Sequence, residues 1–105
     1  MADKRNTVKG VVAMVEVHNL NKTADRKPPP GYPTWRIWWE TSKRKKFSKC
    51  STFGCTQFAD VGAHVQKEGL IDRSWYIVPL CARCNNRSSE LPFYVDSNDM
   101  MPIHK

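Results

Sequence analysis

The sequence lacks any long hydrophobic run, and no stretch approaches the roughly eighteen apolar residues that a membrane-spanning helix requires. A spanning protein is thereby excluded, and we expect no membrane partner. The first residues do not combine a clean apolar core with a small-residue cleavage site, so we expect no secretory signal and a reducing, cytoplasmic location. Internal repeats are also absent. The 105 residues, 40% hydrophobic and 26% charged, are typical of one small globular domain.

Acidic residues are scarce in the first half of the chain. Residues 1–49 hold twelve Lys or Arg against four Asp or Glu, whereas residues 50–105 hold five against six. All four cysteines lie in the second part, so the basic excess belongs to the amino-terminal arm. A basic excess of this kind indicates an anionic partner, most often nucleic acid. A solvated surface that only aids solubility is the alternative.

The amino-terminal third divides into a strand and a connector. Residues 8–17 are rich in valine and predict one β-strand, with a bulge at Gly10. Residues 19–33 are polar and end in a proline-rich run that favours an extended polyproline path and a stiff spacer. We therefore assign residues 1–33 to a strand and a Pro-rich connector, and residues 34–105 to a basic helix and a cysteine-bearing unit, within one compact domain.

Three tryptophans follow the prolines at helical spacing. Thr34 is a suitable cap for a helix that begins at Trp35, and Trp35, Trp38 and Trp39 then share one face. Such a face most often packs into a core, and base stacking by an exposed tryptophan is the functional alternative. A strand over residues 34–40 ranks second, because it would divide the tryptophans between two faces.

A dense basic run separates the tryptophans from the first cysteine. Side chains of this type bind phosphates because each one releases condensed counterions, although the contact reads no sequence. The residues that we predict to contact nucleic acid are Lys43, Arg44, Lys45, Lys46 and Lys49.

Two close cysteine pairs form the strongest signal in the sequence. Cys50 and Cys55 enclose four residues, Cys81 and Cys84 enclose two, and 25 residues separate the pairs. This spacing is typical of four thiolates around one tetrahedral structural zinc. In a reducing compartment, metal is favoured over two disulfides.

The segment between and after the pairs predicts a hairpin and a helix. Residues 60–65 and 75–80 are the two strands, residues 67–74 are the loop, and residues 82–90 are the helix. Short closing strands are expected near residues 93–95 and 101–103. Knuckle, hairpin and helix in this order give a small α+β fold, a zinc-stabilised treble clef, to which the amino-terminal strand and the Trp-rich helix are added.

Residues 50–90 resemble the HNH, or ββα-metal, nuclease superfamily in its four-cysteine zinc branch. The resemblance implies that His64 is the general base that activates water and that Asn85, directly after the last cysteine, binds a catalytic Mg²⁺ or Mn²⁺. The family's acidic metal ligand is replaced by Ala63, and its middle asparagine would fall near Trp75 or Tyr76. Candidate replacements for the missing ligand are Asp60, Asn86 and Glu90. His18 and His104 are expected at the surface.

Three functions follow from these residues. The first is a metal-dependent HNH endonuclease, in which His64 has a catalytic role rather than a packing role. The second is a non-catalytic zinc module that binds DNA or RNA through the basic run and exposed tryptophans. The third is a protein-interaction module in which the tryptophans and prolines form an apolar patch. We favour a zinc-stabilised HNH-like domain that binds nucleic acid, with cleavage left open; the sequence does not define the oligomeric state.

Overall fold

The computed structural model describes residues 13–21, 23, 26–69 and 71–103. These residues form a small α+β fold, as predicted, built on one five-stranded antiparallel sheet. The elements in chain order are β1 (Met14–Asn19), α1 (Trp35–Lys43), β2 (Val61–Lys67), β3 (Trp75–Leu80), α2 (Ala82–Asn85), β4 (Phe93–Asp96), a 3₁₀ turn (Ser97–Asp99) and β5 (Met101–Ile103). The strand order across the sheet is β4-β1-β2-β3-β5. No helix within these ranges has the length and apolarity that crossing a bilayer demands.

The amino-terminal strand belongs to the same sheet as the cysteine unit. The predicted strand over residues 8–17 begins outside the described residues, and β1 continues two residues beyond it, to Asn19. Strand β1 pairs with β2 on one side, where Val17 faces Lys67, and with β4 on the other, where Val17 faces Phe93. The predicted hairpin is confirmed as β2 and β3, with His64 opposite Ile77.

The proline run turns instead of following an extended path, which corrects the prediction. Tyr32 donates a backbone hydrogen bond to the carbonyl oxygen of Pro29 at 3.2 Å, and Gly31 has a φ of +94°. Pro30 fixes the φ of the second turn position, and glycine accepts the positive φ of the third. Pro-Gly therefore reverses the chain just before α1.

Helix α1 begins and ends as its sequence indicates. The Thr34 hydroxyl accepts a hydrogen bond from the Ile37 N–H at 3.1 Å, which caps the first turn. The helix ends at Arg44, whose φ of 60° lies in the left-handed region. After the turn, the Glu40 carboxylate accepts a hydrogen bond from the Phe47 N–H at 2.8 Å, and this bond is the main reason that the pKa of Glu40 is lowered. Glu40 thus holds the basic segment against its own helix.

Two hydrophobic clusters occupy the two sides of the sheet. One is built from strand residues such as Val17, Val65 and Val78 and includes all four cysteines. The other contains Trp39, Phe47, Ala59 and Ile77, with Trp35 and Trp38 partly buried against it. The core-packing interpretation is confirmed for Trp39, which is 1% exposed and donates its Nε1 hydrogen to the Asp99 carbonyl oxygen at 2.7 Å.

Candidate metal centre and the clefts beside it

The four cysteines converge on one buried point. Cys50, Cys55, Cys81 and Cys84 are all buried, and their Sγ atoms lie within 4.8 Å of one another. All four are free thiols, and the Cys55 and Cys81 sulfurs are 3.8 Å apart, too far for a disulfide bond of about 2.05 Å. Four sulfurs at zinc–sulfur distances of about 2.3 Å in a tetrahedron would lie about 3.8 Å apart. The cluster therefore fits a metal ion such as zinc.

Two thiols of the cluster have pKa values shifted in opposite directions. A hydrogen bond from the Gln57 backbone N–H lowers the pKa of Cys55 to about 7, whereas burial raises the pKa of Cys84. Four buried thiolates without a counter-charge would be costly, because burial penalises the charged form. A divalent ion supplies that counter-charge and favours loss of the protons. The donor set and its burial thus agree with a structural metal ion.

The first cysteine pair is held by a tight turn against the sheet. Gly54 has a φ of +84°, which favours glycine, and the Cys55 N–H donates to the Thr52 carbonyl oxygen at 3.0 Å. The Phe53 N–H donates to the Tyr94 carbonyl oxygen at 2.8 Å. The turn between the two cysteines is therefore held against β4 as well as by the burial of the cysteines at its two ends.

The second cysteine pair is held by a helix shorter than predicted. Helix α2 covers only Ala82–Asn85 rather than residues 82–90. The buried Asn19 side chain explains its end, since Asn19 Nδ2 donates to the carbonyl oxygens of Cys84 and Arg87, each at 3.0 Å. These bonds satisfy carbonyls that further helical turns would have used. Sequence reasoning missed Asn19, whose only signal is an amide two residues beyond the valine-rich segment 8–17.

Replacing Asn19 with alanine is expected to destabilise the domain by about 1–3 kcal/mol, because the carbonyl oxygens of Cys84 and Arg87 each lose a hydrogen bond from a buried amide. Urea denaturation of the zinc-loaded protein measures the change. Asn98→Ala is the control, since Asn98 is exposed and its replacement should change the free energy of unfolding by less than about 0.5 kcal/mol. Equal stability of the two variants would contradict this role of Asn19.

The structure brings the two predicted catalytic residues to one cleft. This cleft of about 370 Å³, which we call the histidine cleft, is lined by residues that include Asn19, Arg26, Trp35, His64, Asn85 and Asn86. Strand alternation turns His64 away from Ala63 and Val65, which pack in the cysteine cluster. A second cleft of about 340 Å³ beside the prolines also reaches His64 and Trp75.

His64 lies in an aromatic environment that keeps it neutral. Its ring meets Trp35 edge-on with a centroid distance of 5.0 Å, and Trp75 at 6.1 Å. Burial, together with the positive charge of Arg26, lowers the pKa of His64 to about 4. His64 is 8% exposed, and its Nε2 atom has no hydrogen-bond partner within the described part of the chain. The other histidine described, His18, is partly exposed and pairs with Glu68.

The described residues that line the histidine cleft include no Asp or Glu. Asp60, one candidate for the missing acidic ligand, accepts a hydrogen bond from the Ala82 N–H at 3.1 Å and so supports the start of α2. Glu90 is exposed and does not line the cleft, whereas Asn86 does. Magnesium and manganese prefer oxygen ligands, chiefly carboxylates. The described lining therefore offers such an ion no carboxylate ligand.

A larger groove of about 720 Å³, which we call the knuckle groove, lies beside Cys50 and Cys55. Its lining includes Lys45, Lys46, Lys49, Phe53, Asp96 and Asp99. Three of the five predicted nucleic-acid contacts are thus brought to one groove. The other two, Lys43 and Arg44, do not line it, and Lys43 Nζ donates to the Asn98 carbonyl oxygen at 2.8 Å.

Phe53 is a second residue that sequence reasoning missed. Its side chain is 72% exposed at the tip of the first cysteine turn, although phenylalanine is usually buried. Phe58 is 61% exposed but does not line the knuckle groove. The one sequence signal for Phe53 is its position among the four residues that Cys50 and Cys55 enclose.

The chain was compared with family models, curated proteins and solved structures, and none of the three comparisons found a match. The HNH resemblance accordingly depends on the residues of the two cysteine pairs, His64 and Asn85.

Proposed function

We propose that this chain is a zinc-stabilised, HNH-like domain that binds nucleic acid without cleaving it. One observation carries the proposal: the knuckle groove brings Lys45, Lys46 and Lys49 together beside an exposed aromatic ring. Lysines along a groove with an aromatic side chain on its wall are typical of nucleic-acid-binding surfaces.

The HNH-like part of the proposal is supported by the order and placement of the elements. A cysteine turn, the β2–β3 hairpin and a helical turn that carries the second cysteine pair follow one another in the chain. His64 and Asn85, the pair implied by the resemblance, line one cleft. We interpret this arrangement as a treble clef in which α2 is reduced to one turn.

The charges of the knuckle groove determine where phosphates can bind. Asp99 lies 3.5 Å from Lys45, so these two charges largely offset each other. Four thiolates with one zinc ion carry a formal charge of −2 at the floor of the groove. Lys46 lies 3.9 Å from the Glu40 carboxylate, but its side chain is 89% exposed, and the exposed Lys49 likewise extends into solvent. We therefore assign the phosphate contacts chiefly to these two residues at the rim.

Fluorescence anisotropy with labelled oligonucleotides tests the binding function. Zinc-loaded protein is titrated into a duplex and into a single strand at several salt concentrations. We expect the protein to bind at about 50 mM salt. The logarithm of its affinity should then fall linearly with the logarithm of the salt concentration. Absence of binding to both oligonucleotides at this salt would refute the proposed function.

A metal-dependent endonuclease is the second candidate, and the shared cleft of His64 and Asn85 favours it. Two observations oppose it. The described lining provides no carboxylate for a divalent ion. A histidine with a pKa of about 4 is also a weak proton acceptor for a water molecule at pH 7.

We expect zinc-loaded protein in Mg²⁺ or Mn²⁺ to nick supercoiled plasmid no faster than the His64→Ala variant. Agarose gel electrophoresis of the plasmid measures the rate, and a known nuclease in the same buffer confirms that the substrate can be cut. Nicking that requires the added ion and disappears in the variant would overturn the expectation. Asn85 and Asn86, which line the histidine cleft, would then be the next residues to replace.

A further inference from the structure

We infer that the knuckle groove selects single-stranded nucleic acid, with Phe53 as the platform on which one base stacks. This inference rests on the proposed function, because it specifies the form of nucleic acid that the same groove takes. It differs from backbone binding alone, which the lysines would provide for a duplex and for a single strand alike.

The Phe53 ring is exposed on a backbone that is fixed in place. The residue lies between two buried metal ligands, Cys50 and Cys55, and its N–H is fixed to the Tyr94 carbonyl oxygen at 2.8 Å. Its neighbour Thr52 forms an isolated bridge with Val95 of β4. The backbone is thus anchored on both sides while the side chain remains 72% exposed. Because the backbone is already ordered, stacking a base on the ring has to immobilise only the side chain and not the turn that carries it.

Charged side chains line the same groove as the Phe53 ring. Phe53 shares the groove with Asp96, with the paired charges of Lys45 and Asp99, and with Lys46 and Lys49 at the rim. An occupant that contacts the ring therefore also meets the two rim cations. A nucleic-acid strand offers both a phosphate backbone and flat aromatic bases. In a duplex the base faces are covered by their neighbours, whereas a single strand can place an unstacked base on the ring. An apolar protein segment would use the ring but not the lysines.

Phe58 supplies a matched control for the experiment. It is also a phenylalanine, 61% exposed, and it does not line the knuckle groove. Zinc-loaded wild type, Phe53→Ala and Phe58→Ala are titrated into a single strand of about 12 nucleotides that carries one 2-aminopurine, and into the matching duplex. Anisotropy gives the affinity, and 2-aminopurine fluorescence reports stacking of the base.

We expect Phe53→Ala to weaken single-strand binding by about tenfold and to leave duplex binding within about twofold of wild type. Binding should quench 2-aminopurine with wild type and with Phe58→Ala, but not with Phe53→Ala. Wild-type affinity of Phe53→Ala for the single strand, or an equal loss for single strand and duplex, would overturn the inference while the proposed function stands. Failure of wild type to bind either oligonucleotide would instead refute the proposed function, and the inference with it.

Discussion

Replacing Cys81 with serine is expected to cost the domain its metal ion and its folded structure. Serine is close to cysteine in size, so the change removes a sulfur ligand without crowding the buried cluster. Zinc contributes folding free energy on the order of 10 kcal/mol at such sites, and a whole domain is usually stable by only about 5–15 kcal/mol. Loss of the ion should therefore remove most or all of the free energy of unfolding. Metal analysis and a thermal melt followed by circular dichroism measure both effects.

His18→Ala is the matched control for Cys81→Ser. Histidine is a common zinc ligand, but His18 lies outside the cysteine cluster and pairs with Glu68. This variant should retain one zinc ion per chain and melt near the wild-type temperature. Addition of a strong chelator to wild type should reproduce the unfolding of Cys81→Ser. A Cys81→Ser protein that melts cooperatively at the wild-type temperature would contradict the metal assignment.

Removing two lysines from the rim of the knuckle groove is expected to weaken nucleic-acid binding strongly. Each lost phosphate contact reduces the magnitude of the negative slope of log affinity against log salt by about 0.7–0.9. Lys46→Gln/Lys49→Gln should therefore reduce that magnitude by about 1.4–1.8. If wild type and the double variant bind equally at about 1 M salt, this difference in slope corresponds to roughly 30-fold weaker binding of the variant at about 0.1 M salt. Anisotropy titrations across salt concentrations measure both quantities.

The control for this variant is Lys27→Gln/Arg73→Gln, which removes the same charge from two exposed residues outside the groove. Both double variants lower the formal net charge of +7 by two. A general electrostatic attraction would weaken binding equally in both, whereas a defined site weakens it mainly in Lys46→Gln/Lys49→Gln. Equal losses would mean that the knuckle groove is not the binding surface.

The parts of the fold that the sequence predicted depend on short-range patterns. The spacing of Cys81 and Cys84 brings two sulfurs close together through local geometry alone, and the structure buries all four thiols at one point. Thr34 and the tryptophan spacing predicted α1, because capping and one apolar face are properties of a single segment. The two strand segments on either side of a loop likewise predicted the pairing of β2 and β3.

The parts that sequence reasoning missed depend on distant contacts. Helix α2 ends early because Asn19, 65 residues away from Cys84, binds the carbonyl oxygens at its end. The proline run reverses direction at Gly31, where the positive φ that glycine permits outweighs the extended preference of the prolines. The exposure of Phe53 follows from the anchoring of its turn to β4, which becomes visible only in three dimensions.

Binding of a labelled oligonucleotide is to be measured on one protein sample before zinc removal, after chelation and after zinc is restored. If the zinc-held fold builds the binding groove, affinity falls on chelation together with the circular dichroism signal, and both return when zinc is added. Binding that is unchanged by chelation, while the fold is lost, would contradict the account. In that case the basic residues of the chain would bind nucleic acid without the groove.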